Sequence, residues 1–117
     1  MGGQILIVDD EQDVREFLKN LVEDHGYRAG LAQDGVVALE KIKEAKPDLI
    51  LLDLQMPEET GTGLYRKLQH NAEFKDIPVI VISGLAGRHV AVGKSVAVFD
   101  KPIDEDGLLA EIAKIIG

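Results

Sequence analysis

Cysteine is absent from this chain, which removes disulfides, thiolate metal sites and a cysteine nucleophile together. Tryptophan is absent too, and aromatic residues make up only 4% of the sequence. The core must therefore be aliphatic, and stacking of rings on nucleic-acid bases is disfavoured as a binding mode. Cations are in short supply: 13 Lys and Arg face 21 Asp and Glu, for a net charge of −8. That balance argues against nucleic acid or an anionic membrane as a direct partner. It is compatible with divalent cations or with a basic partner surface. No apolar run approaches the length of a membrane span, and the N-terminus lacks a signal-peptide pattern. The expectation is a cytoplasmic protein. There is no internal repeat, linker or low-complexity stretch, and 117 residues suit one domain, 1–117, with a substantial core.

The informative stretch is DLILLDLQMP, Asp48–Pro57. Four aliphatic residues, 49–52, run straight into Asp53, and Pro47 and Pro57 bracket the run. A short continuous apolar run of this kind predicts a strand buried on both faces, as in parallel sheets. Asp53 then stands where a central strand leaves the core. In an open α/β sheet that edge is where ligands bind.

The rest of the chain alternates in period. Residues 4–8 (QILIV) predict a first strand ending in Asp9, Asp10 and Glu11. Val14, Phe17, Leu18, Leu21 and Val22 have helical spacing, and Gly26 suits the helix end. A second strand is expected over 27–32. Asp34 suits the cap of a second helix with the stripe Ala38, Leu39, Ile42 and Ala45. A third helix should carry Leu64, Tyr65 and Leu68. VIVIS, 79–83, reads as a fourth strand. A weak fourth helix within 84–94 contains Gly87 and Gly93. A fifth strand is expected over 96–99. Asp104 suits the cap of a fifth helix bearing Leu108, Leu109, Ile112, Ala113, Ile115 and Ile116. Five strand–helix alternations predict a flavodoxin-like doubly wound α/β fold: a five-stranded parallel sheet, order 2-1-3-4-5, with five helices.

In that order the first and third strands are neighbours. Asp9, Asp10 and Asp53 converge on one crevice, with Ser83 at the end of the fourth strand and Lys101 just after the fifth. Crowded carboxylates either raise one another's pKa or recruit a cation. Oxygen ligands without His or Cys suit Mg²⁺, Mn²⁺ or Ca²⁺, and few ligands with open positions suit Mg²⁺, which also takes phosphate oxygens. A carboxylate beside Mg²⁺ and Lys is equipped to attack a phosphoryl group. His25, His70 and His89 are scattered and read as surface residues; Glu58 and Glu59 read as a solvated loop.

The segments Val8-Asp9-Asp10, Asp53-Leu54-Gln55-Met56-Pro57 with Gly61, Ile82-Ser83-Gly84 and Asp100-Lys101-Pro102 resemble the receiver domain of two-component response regulators, in order and spacing across essentially the whole chain. The resemblance implies that Asp53 accepts phosphate from a histidine kinase or phosphotransfer domain and passes a signal to a downstream effector. It implies Mg²⁺ held by Asp10, Asp53 and the Gln55 carbonyl, with Asp9 acting largely through the metal's water shell. Ser83 and Lys101 would bind the phosphoryl oxygens, and Lys101-Pro102 would be cis. The chain would be a phosphoacceptor and not an enzyme; its oligomeric state stays open.

Two other functions compete. A Mg²⁺-dependent small-molecule phosphotransferase would usually carry its nucleophile on the first strand, with another Asp two residues on and a cap insertion; neither is found. A phosphorylation-independent interaction domain would lack an acid or the lysine; none is missing. The sequence departs from the family at the usual aromatic position before the lysine, which is Val98, with Phe99 next to it. The stretch from Ser83 to Lys101 is also about one helical turn short, and Lys94-Ser95 replaces the usual Gly-Ala. These changes fall on the usual output face and leave the acceptor residues intact.

Overall fold

The computed structural model describes residues 3–53, 62–83, 97–100 and 104–116. In chain order they form β1 (Gln4–Val8), α1 (Gln12–Glu23), β2 (Arg28–Ala32), α2 (Gly35–Glu44), β3 (Leu49–Asp53), α3 (Thr62–Gln69), β4 (Val79–Ser83), β5 (Ala97–Asp100) and α4 (Glu105–Ile116). The strands make one sheet in the order β2-β1-β3-β4-β5, with every neighbouring pair parallel. This is the flavodoxin-like α/β arrangement, and α4 is the helix the sequence places fifth. The weak helix expected within 84–94 lies outside the described residues.

The pleat divides the aliphatic strands between two cores. Leu6, Val8, Ile50, Leu52, Val79 and Val81 pack on one face against Ala38 and Ile42 of α2 and Leu68 of α3. Ile5, Ile7, Leu49, Leu51, Ile80 and Ile82 pack on the other against Leu18, Leu21 and Val22 of α1 and Leu108 and Ile112 of α4. Each residue from Leu49 to Leu52 is at most 1% exposed. Full burial of such a side chain stabilises by roughly 1.5–3 kcal/mol, which is why β3 is central and the chain before Asp53 is rigidly placed.

The helix ends follow local chemistry. Asp34 caps α2 by accepting the Val37 amide at 2.9 Å. After α1, Gly26 adopts φ +92°. The Gly26 amide donates to the Glu23 carbonyl and the Tyr27 amide to the Val22 carbonyl, each at 3.1 Å. This is a Schellman stop, with buried Tyr27 and Val22 in the same core as its apolar contact. Because Tyr27 belongs to this stop, β2 begins at Arg28, one residue later than the sequence pattern suggests. β5 is described over Ala97–Asp100 and so reaches one residue past the expected end; Val96, the expected first residue, lies outside the described residues.

Among the described residues, three apolar positions do not face the core as expected. Phe17 is 41% exposed. It lies about a quarter turn around α1 from the direction of Leu18, Leu21 and Val22, at the flank of the apolar stripe. Ala45 is exposed because the chain turns extended there, φ −152° and ψ 108°, and leaves the α2 surface. Ala113 is exposed because it follows Ile112 by one residue and points about 100° away from the α4 stripe.

Candidate functional site

Asp9 directly follows β1 and is a buried carboxylate in a chain whose other buried residues are apolar among those described. Its amide extends the ladder beyond β1, donating to the Ala32 carbonyl at 3.1 Å. Its Oδ1 accepts the Glu11 amide at 2.9 Å. A side chain that bonds the backbone two residues on is a turn former; here it swings the chain out of the sheet and into α1. Glu11 is the residue that flanks α1, and its own side chain makes no capping bond. The Glu11 carbonyl takes the Arg15 amide at 3.1 Å. One turn into the helix, the Arg15 guanidinium reaches back and Nη1 donates to the Asp9 carbonyl at 2.6 Å.

This turn gathers three acids. Carboxylate oxygens of Asp9, Asp10 and Glu11 all lie within 4.8 Å of one another, with Asp9 buried and the other two exposed. Two unit negative charges at such a spacing repel by about 1 kcal/mol in water and about 3.5 kcal/mol at an effective dielectric of 20. Adjacent oxygens on one Mg²⁺ at 2.0–2.1 Å sit about 3 Å apart and opposite ones about 4.2 Å. The cluster's oxygens, within 4.8 Å of one another, are close to that span, and two of its three members are exposed. The donor set, all hard oxygen, fits Mg²⁺.

Register brings β3 to the same place. Val8 pairs with Leu52, so Asp9 and Asp53 are the next residues on adjacent parallel strands. Asp53 pairs in turn with Ile82 of β4, and Ser83 pairs with Asp100 of β5. The backbones of Asp9, Asp53 and Ser83 thus stand together at the carboxyl-terminal edge of the sheet, with Asp10 one residue on. Gln55 and Lys101 lie outside the described residues; Lys101 directly follows Asp100, the last residue of β5. Of the histidines, His25 and His70 are exposed, His25 with Nδ1 2.9 Å from the Leu21 carbonyl at the end of α1. His89, like Glu58 and Glu59, lies outside the described residues.

Two members of the site were not singled out from the sequence. Glu11 was visible only as the third of three acids. Arg15 had a readable signal: it lies four residues after Glu11, and helical side chains lean toward the N-terminus, where the acids are. A cavity of about 200 Å³ lies elsewhere, over Gly30 at the opposite edge, lined by Gln4, Leu6, Gly30, Lys41, Glu44, Ala45 and Pro47. Lys41, one of these lining residues, donates to the Leu31 carbonyl on the outer side of β2. It is remote from the acids.

A model of the response regulator receiver domain family matches residues 5–113. The chain belongs to the response regulator receiver domain family. This receiver domain is 30% identical over 116 residues to protein Rrf1 of Nitratidesulfovibrio vulgaris, covering 99% of its own length and 84% of Rrf1. It is 40% identical over 83 residues to the response regulator MprA of Mycobacterium sp. strain KMS, covering 71% of its own length but only 35% of MprA. The receiver domain therefore spans about a third of that regulator. Among solved structures, the signal receiver domain of a signal transduction histidine kinase from Syntrophus aciditrophicus superimposes with a TM-score of 0.87 at 28% identity, covering 97% and 89% of the two chains. Its function is that of the receiver module in two-component signalling. Among the described residues, no helix is long and apolar enough to cross a membrane.

Proposed function

We propose that the receiver domain, residues 1–117, accepts a phosphoryl group on Asp53 from a histidine kinase or phosphotransfer domain, and does so as a cytoplasmic phosphoacceptor and not as a turnover enzyme. The observation that carries this reading is the meeting of the Asp9, Asp10 and Glu11 carboxylates at the end of β1 with the strand end of β3 next to it. The full five-helix form of the fold belongs to the same reading.

An Asp53 carboxylate oxygen attacks the phosphorus of a phosphohistidine on the donor. The O–P bond forms as the P–N bond breaks, and the leaving imidazole nitrogen keeps the electron pair and takes up a proton. Such a transfer needs mainly positioning and charge neutralisation. Asp10, Asp53 and the Gln55 carbonyl would hold Mg²⁺, with Asp9 and Glu11 adding negative charge beside it. When bound, the ion supplies the hard positive charge that phosphoryl oxygens require. Lys101 pairs with a phosphoryl oxygen, and the Ser83 hydroxyl donates one hydrogen bond to another. That bond would be the first step of the change that a downstream effector reads.

The test is intact-mass spectrometry after incubation with a small phosphodonor. Wild-type protein should gain one phosphoryl mass in Mg²⁺ and none in EDTA, and Asp53→Asn should gain none in either. Undiminished phosphorylation of Asp53→Asn would overturn the assignment.

A further inference from the structure

Three carboxylates in one turn repel one another, so something must hold the turn in place before a cation arrives. Asp9 is fastened by its backbone on both sides. Its amide is tied to β2 through the Ala32 carbonyl, and its carbonyl is tied to α1 through Arg15 Nη1 at 2.6 Å. Its side chain then fixes the Glu11 amide. The guanidinium thus bonds the acidic turn to the body of α1. Arg15 is half-buried, and its planar, permanently charged fork suits a carbonyl held at a fixed angle.

The geometry points to Arg15 as a positioning residue for the metal site: it pre-sets the Asp9–Glu11 turn so that the acids are already gathered when Mg²⁺ binds. This rests on the Mg²⁺ reading above. Charge and position make opposite predictions, which is what makes the idea testable. A cation beside the site repels Mg²⁺, so on Coulomb grounds alone its removal tightens Mg²⁺ binding. A brace that pre-organises ligands has the reverse effect, since loss of a group that orients metal ligands weakens the metal by about tenfold or more.

The experiment compares wild type, Arg15→Met and Arg15→Lys. Met keeps the apolar stem without the charge, and Lys keeps the charge without the fork. Mg²⁺ affinity is measured by calorimetric titration, and melting is followed in EDTA and in saturating Mg²⁺. Positioning predicts about tenfold weaker Mg²⁺ binding in Arg15→Met, an intermediate loss in Arg15→Lys, and a smaller Mg²⁺-induced rise in melting temperature in both. A merely structural role lowers melting equally in EDTA and Mg²⁺ with affinity unchanged, and that result overturns the inference. Tighter binding in Arg15→Met overturns it as well, since charge alone then acts. If wild type itself shows no Mg²⁺ binding, the metal reading fails first, and the inference falls with it.

Discussion

Asp48 and Gln4 clasp each other across the starting edge of the sheet: the Gln4 amide donates to Asp48 Oδ2 and the Asp48 amide donates to the Gln4 carbonyl, each at 2.8 Å. The clasp sets the register of β1 against β3 at their first residues. Five positions later that register places Asp9 beside Asp53. Because a one-residue slip turns every side chain to the opposite face, the clasp at one edge fixes the site at the other. Gly3 belongs to it, since a Cβ there would lie 3.0 Å from both Asp48 Oδ2 and Ile116 Cδ1. Asp48→Ala should cost about 1 kcal/mol, below the roughly 1.5–3 kcal/mol of a bond to a charged group because this one is exposed. Gly3→Ala should be destabilising as well. Urea denaturation checks both; an unchanged midpoint in Asp48→Ala would show that the strands hold register without it.

Gly26 makes the sharpest prediction about stability. Its φ of +92° suits glycine, and a Cβ there would meet nothing within 4 Å. The cost of Gly26→Ala is therefore conformational and not steric, about 1 kcal/mol. A domain of this size should melt about 3–6 °C lower. Asp34→Ala, which orphans the Val37 amide, should cost a similar amount, about 1 kcal/mol. The two sites are at opposite ends of different helices, so the double variant should show an additive loss. A Gly26→Ala protein that melts at the wild-type temperature would mean that the stop relaxes to another conformation without strain.

How far the sequence could be read depends on the kind of signal. β1, β3 and β4 are continuous aliphatic runs, and their limits were legible because burial on both faces leaves no room for polar residues. Gly26 and Asp34 were legible because each performs a local task that few residues perform. The β2 start was not, because Tyr27 is apolar and buried whether it belongs to a strand or to a helix stop. Phe17 misled for a related reason: a helical stripe read from spacing does not say how wide the contact with the sheet is. At the site, Asp9, Asp53 and Ser83 were legible as strand-end residues once the strand order was set. The bond from Arg15 to the Asp9 carbonyl was not, since it depends on the turn that Asp9 itself makes.

On the proposed reading, the metal ligands and the phosphoryl partners are different residues. Asp10 belongs to the acidic cluster, whereas Ser83 ends β4, two strands away from β1. Asp10→Ala removes a charged oxygen ligand and should weaken Mg²⁺ binding; Ser83→Ala removes a neutral donor and should leave it near wild type. Calorimetric or NMR titration of Mg²⁺ into both variants decides. A larger loss in Ser83→Ala would mean that the cation sits toward β4 and not at the end of β1.

Repulsion within the acidic turn has a consequence for folding. Asp10 and Glu11 are exposed, and with buried Asp9 their carboxylate oxygens lie within 4.8 Å. Asn replaces Asp at nearly the same size and removes one charge. Screening by solvent limits the relief at an exposed position to about 0.5–1 kcal/mol. In EDTA at low salt, Asp10→Asn should therefore melt above wild type by a few degrees, and half-molar salt should shrink the gap because it shortens the reach of the repulsion. Added Mg²⁺ should reverse the order. Wild type gains stability from binding, in proportion to the logarithm of cation concentration over its Kd, while Asp10→Asn has lost a charged ligand and gains less. The two melting temperatures should cross as Mg²⁺ is titrated. If Asp10→Asn melts below wild type in EDTA, the acids are not repelling one another there. If it melts higher at every Mg²⁺ concentration, Asp10 does not hold the cation.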